Sequence, residues 1–128
     1  MPYIALQLQP APTPAQAAAL TRGITDAMVE VMRKRREVTA VRIGGGEAAH
    51  WSIGGSPCDQ PTAYLDVKIT AGTNSDEEKA ELLQRLHALL VETLGSLAEA
   101  SYIVIHELPA ASWGYAGISQ AARAGAAL

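Results

Sequence analysis

Residues 63–95 read AYLDVKITAGTNSDEEKAELLQRLHALLVETLG, and this stretch decides the fold. Residues 63–70 read as a β-strand. Ser75-Asp76-Glu77-Glu78 then forms a capping box, a hydroxyl at the N-cap with a carboxylate three residues on to accept the N-cap N–H. Leu82, Leu83, Leu86, Leu89, Leu90 and Leu94 recur at helical spacing, and Gly95 supplies the stop. SYIVIHEL (101–108) follows as a second strand, in which Tyr102, Val104 and His106 alternate with Ile103, Ile105 and Leu108 only roughly.

Outward from this unit the same pattern appears upstream. YIALQLQ (3–9) alternates, with Ile4, Leu6 and Leu8 opposite Ala5, Gln7 and Gln9. Thr13-Pro14-Ala15-Gln16 is a second capping box, with Pro14 at the first helical position, where its missing N–H costs nothing. The spacing of Leu20, Ile24, Ala27, Met28 and Val31 predicts a helix over 13–34, and VTAVRI (38–43) predicts a strand. The units close alike, AHWSIGGS (49–56) and ASWGYAGIS (111–119), with Trp51 and Trp113 in matching places. The turn-rich GGSPCDQPT (54–62) joins them.

Two right-handed β-α-β units predict an α+β fold: tandem pseudo-symmetric units forming a four-stranded sheet with two helices on one face. We expect one domain over 1–128, with a first unit over about 2–58, a second over about 62–120 and an Ala-rich tail at 121–128. The other face of the sheet is expected to be open, with apolar side chains that oligomerisation covers.

Composition narrows the function. A chain of 128 residues, 48% apolar and 18% charged, has enough apolar content for a real core. A net charge of −3 without a basic tract gives no footprint for nucleic acid. No apolar run reaches a membrane span and no signal peptide is legible at the start, so a soluble, cytoplasmic protein is expected. Cys58, the single cysteine, excludes an intrachain disulfide and has no activating neighbours. His50, His87 and His106 lack metal-ligand spacing, so no metal site is expected. Gly44–Gly46 lacks the GK[ST] ending of a phosphate loop.

Pro2, VTAVRI, the Trp-plus-glycine endings, ITAGTNSDEEK (69–79) and IHELPAASWGYAG (105–117) together resemble the tautomerase superfamily, typified by 4-oxalocrotonate tautomerase. Two units in one chain look like its fused members and like the trimeric relatives of macrophage migration inhibitory factor. The resemblance implies a homotrimer and a cofactor-independent tautomerase or isomerase acting on small 2-oxo/enol carboxylic acids. Pro2, freed by removal of Met1, would be the base, because an apolar pocket disfavours the ammonium and lowers the amine pKa. Arg42 would anchor the carboxylate and the 2-oxo group, a task suited to a planar fork that keeps its charge. Trp51, Trp113, Tyr102 and Lys34 are the further substrate-binding candidates.

Some residues depart from the family pattern. Neither QPAPTP (9–14) nor TAGTNSD (70–76) supplies the family's second arginine, leaving Arg22, Lys34, Lys68 or a neighbour's cation as substitutes. Ala63 stands where the first unit has Pro2, and Tyr102 where it has Arg42, so one site per chain is expected. Arg33, Lys34, Arg35 and Arg36 read mainly as cations complementing a helix C-terminus. A non-catalytic trimeric binding module is the alternative. A hydratase or dehalogenase of unsaturated halo-acids is a further one, with Glu47 or Glu107 as the water-activating acid.

Overall fold

In a computed structural model, residues 2–45 and 50–126 are described. Strand β1 (Tyr3–Gln9) leads to helix α1 (Pro14–Glu30), a 3-10 turn over Arg36–Val38 and strand β2 (Ala40–Gly45). A hairpin of β3 (Ser52–Ile53) and β4 (Ser56–Pro57) closes the first unit. The second repeats the order with β5 (Thr62–Thr70), α2 (Asp76–Leu94), β6 (Tyr102–Leu108) and a hairpin of β7 (Gly114–Tyr115) and β8 (Ile118–Ser119). Helix α3 (Gln120–Ala126) takes in the Ala-rich tail as far as residue 126.

Both capping boxes form. Thr13 Oγ1 accepts from the Gln16 N–H at 3.1 Å while Gln16 Oε1 accepts from the Thr13 N–H at 2.9 Å, and Ser75 with Glu78 repeats this at 3.1 and 2.8 Å. Gly95 ends α2 at φ 85°, in the left-handed region that glycine enters without a Cβ clash. Helix α1 stops at Glu30, short of the expected Lys34. Arg33 adopts φ 58°, and the Lys34 N–H turns back to the Met28 carbonyl, six residues earlier, at 3.0 Å, so the helix ends without glycine.

The cations therefore lie beyond the last turn and are paired individually rather than arrayed on a helix end. Arg33 meets Glu78 at 3.0 Å, Arg35 meets Glu37 at 3.5 Å and Arg36 meets Asp26 at 2.7 Å.

The four main strands form one sheet in the order β2-β1-β5-β6. Pairing is parallel within each unit and antiparallel between β1 and β5, with Tyr3 opposite Lys68 and Gln9 opposite Thr62. One face carries Ile4, Leu6 and Leu8 of β1 and Leu65, Val67 and Ile69 of β5. All are buried against Leu20, Ile24 and Met28 of α1 and Leu82, Leu86 and Leu90 of α2. The helices approach closely at Gly23, where an added Cβ would lie 2.6 Å from a Leu89 methyl.

The opposite face is mixed, because alternation sends Tyr3, Gln7, Arg42, Asp66, Lys68 and His106 there together with Ala5, Tyr64, Tyr102 and Val104. Among the described residues no helix is long and apolar enough to cross a membrane.

Two stability measurements follow from this packing. Leu86 is buried and Leu83 is exposed, so Leu86→Ala should cost about 2–5 kcal/mol and Leu83→Ala less than about 1 kcal/mol in urea unfolding. The Ser75 backbone N–H, with help from Asn74 and Arg33, holds the Glu78 carboxyl below its ordinary 4.5. A depressed carboxyl contributes stability above its unfolded value, and that contribution is lost as pH falls through the folded one. Glu78→Gln keeps an acceptor for the N-cap, so the variant's stability should fall less between pH 5 and acid than that of the wild type.

Candidate active site

Pro2 stands at the head of β1, one residue before the first ladder rung, where a residue without an N–H leaves no bond unmade. It is buried, and its carbonyl accepts the Ala40 N–H at 3.3 Å. A cavity of about 480 Å³ opens over it. On the β2 side the wall is the turn from Glu37 to Ala40, and on the β5 side it is Lys68. Trp113, Gly114 and Tyr115, from the hairpin closing the second unit, complete the cavity.

That hairpin is fixed at several points. The Trp113 indole Nε1–H donates to Thr70 Oγ1 at 3.1 Å, on the last residue of β5. The Trp113 carbonyl accepts the Gln120 N–H at 2.9 Å. A Cβ on Gly114 would run into the Ile118 carbonyl, so only glycine lets the two arms close. From α3, the Arg123 guanidinium lies 3.7 Å from the Tyr115 ring centroid and donates to the Tyr115 carbonyl at 2.7 Å. The resulting aromatic wall is rigid, as a shaped pocket requires.

The charges beside the cavity form a short array on the face away from the helices. Lys68 Nζ lies 3.1 Å from Asp66 Oδ2 and 6.0 Å from the Tyr3 ring centroid. Asp66 Oδ1 lies 2.6 Å from His106 Nε2, an ion pair when the imidazole is protonated.

Of the sequence candidates, Pro2, Trp113 and Lys68 meet in this cavity within one chain. Arg42 is exposed on the face away from the helices, two residues beyond Ala40, opposite Ala5. Trp51 and Tyr102 line a separate cavity of about 310 Å³ with Ala63 and Tyr64. That cavity is the pseudo-symmetric counterpart of the first, with Ala63 in the place of Pro2.

The register also revises one equivalence. Tyr102 pairs with Tyr64 as Ala40 pairs with Tyr3, so the counterpart of Arg42 is Val104, not Tyr102. Lys34 Nζ donates to Thr73 Oγ1 at 2.9 Å, away from the residues lining the Pro2 cavity, and burial lowers its pKa from 10.5. Glu107 is engaged by Lys79 at 2.9 Å, and this hydrogen bond, with Asp76, raises the lysine pKa above 10.5. Met1, Gly46 and Glu47 lie outside the described residues. Among the described residues no three His, Cys, Asp or Glu side chains gather to hold a metal ion.

The family model described as tautomerase enzyme matches residues 64–123. That segment, the second unit, is similar to the tautomerase family. A probable tautomerase of Ralstonia nicotianae is 44% identical over 46 residues, covering 36% of this chain and 66% of that relative, just under two thirds of its length. The fold matches that of a fused 4-OT solved as a symmetric trimer, with TM-score 0.84 and 23% identity over 94% of this chain and 98% of that one. A protein titled Pt0534, inactivated by 2-oxo-3-pentynoate, superposes with TM-score 0.85 at 20% identity over 94% and 98% of the two chains. The macrophage migration inhibitory factor-like protein of Entamoeba histolytica gives TM-score 0.77 at 19% identity over 92% and 97%.

The matched segment is the second unit, although Pro2 stands in the first.

Sequence reading did not place Glu37, Val38 and Thr39 at this cavity, since a turn before a strand carries no signal of what it faces. Removing the indole's hydrogen bond tests the wall. Thr70→Val should cost about 1 kcal/mol and shift Trp113 fluorescence in a Trp51→Phe background.

Proposed function

We propose that this chain is a cofactor-independent tautomerase or isomerase of small 2-oxo/enol carboxylic acids, with the free amine of Pro2 as base. The supporting observation is the buried Pro2 in a cavity walled by Trp113 and Val38. In such surroundings a secondary ammonium is disfavoured and its pKa falls toward neutrality, where a base both accepts and returns a proton. Pro2 nitrogen takes the enol hydroxyl proton as the C=C electron pair shifts, and the proton is delivered to carbon to give the ketone. The charge developing on oxygen needs a cation, the role proposed for Arg42.

Arg42, Trp51 and Tyr102 do not line this cavity within one chain, so their proposed roles belong to a homotrimer in which neighbouring copies complete each site. The symmetric trimer of the fused 4-OT supports that assembly.

Intact mass reports whether Met1 is removed. A retained Met1 makes Pro2 an amide and leaves the binding-module reading. With Met1 absent, Pro2→Ala should lower kcat/KM for phenylenolpyruvate by about 10²–10⁴-fold with the fold retained. Equal rates would dismiss Pro2 as base. Wild-type activity should rise with pH as the amine deprotonates. 2-Oxo-3-pentynoate should add once per chain at Pro2 and not to Pro2→Ala.

A further inference from the structure

The Pro2 cavity is lined by one basic and one acidic side chain, and they stand on opposite sides of β1. Lys68 reaches it from β5, and Glu37 from the turn before β2. With β1 between them, β2 and β5 are separated by about 10 Å, two inter-strand spacings.

Neither charge is fully neutralised by its partner. Asp66 holds Lys68 Nζ at 3.1 Å through one oxygen, and its other oxygen lies 2.6 Å from His106 Nε2. An ammonium has three donors, and Asp66 occupies one of them. Glu37 meets Arg35 at 3.5 Å with both side chains about 70% exposed, a pair that water screens strongly. Val38 and the Trp113 wall also line the cavity and offer no charge.

We propose that Lys68 and Glu37 set the charge specificity of this cavity. Lys68 takes the carboxylate of the bound acid, in place of the loop arginine that the chain lacks. Glu37 repels a second carboxylate at the far end. The preferred ligand is thus a monocarboxylate with an uncharged tail lying against Val38 and Trp113, and Asp66 positions the Lys68 ammonium. Lys68 and Glu37 have this role if the cavity over Pro2 is the substrate site proposed above.

Cinnamate and 4-carboxycinnamate differ only in the second carboxylate, and calorimetric titration of the full chain with each separates the two effects. The wild type should bind cinnamate about ten-fold more tightly than 4-carboxycinnamate. Lys68→Ala should weaken cinnamate about ten-fold, and Lys68→Arg should restore it to within about three-fold. Glu37→Gln should leave cinnamate within about two-fold and bring 4-carboxycinnamate close to it.

Equal wild-type affinity for the two acids, no cinnamate binding, or cinnamate binding indifferent to Lys68→Ala would each overturn the assignment. Binding in the expected pattern, together with equal tautomerisation by wild type and Pro2→Ala, would remove the prolyl base and leave Lys68 and Glu37 in place.

Discussion

The antiparallel ladder between β1 and β5 is the constraint on which the rest of the molecule depends. Each β-α-β unit pairs its own strands in parallel, and only this ladder joins the two units into one sheet. Because the strands run oppositely, the head of β1 meets the tail of β5, setting Pro2 beside Lys68 and Thr70. The second unit's closing hairpin lies over that end, and the first unit's hairpin lies over the head of β5. The units therefore exchange aromatic residues: Trp113 serves Pro2, and Trp51 serves Ala63.

The ladder also divides the sheet by chemistry. A strand shows its side chains to alternate faces, so a fixed register assigns every residue of four strands at once. Ile4, Leu6, Leu65 and Val67 face the helices, whose leucine and methionine stripes close the core. Arg42, Asp66, Lys68 and His106 face the other way and form the charged surface beside the cavity. The helices add stability without touching the chemistry. Their capping boxes, the stop at Gly95 and the close approach at Gly23 and Leu89 hold the scaffold against which the hairpins are placed.

The two cavities show what duplication leaves when one copy changes. Both sit at the head of a central strand beneath a tryptophan-bearing hairpin. Where the first has Pro2, the second has Ala63, whose N–H donates to Ser101 Oγ at 3.1 Å. An internal residue has no free amine, so the second cavity cannot reproduce the prolyl chemistry proposed for the first. Its tyrosines, Tyr64 and Tyr102, remain exposed, Tyr102 at 63%.

Strands, helix starts and the repeat were legible in the sequence because local rules write them: alternation, apolar stripes, a hydroxyl with its acceptor three residues on, a glycine stop. The end of α1 was misplaced because Arg33 enters a conformation that glycine usually signals, and a helix stripe does not reveal it. Of the site, the sequence singled out Pro2 and Trp113 and offered Lys68 among the substitute cations. It paired Tyr102 with Arg42 two rungs away from the true match, since spacing within one strand does not fix register against another. The sequence by itself determined two β-α-β units and one position where a terminal amine could act. Only the tertiary structure decided which tryptophan meets that position and which charges flank it. The contacts of Pro2 with Lys68 and Trp113 join residues more than sixty positions apart, and the β1–β5 register, set by burial of one face, is what brings them together.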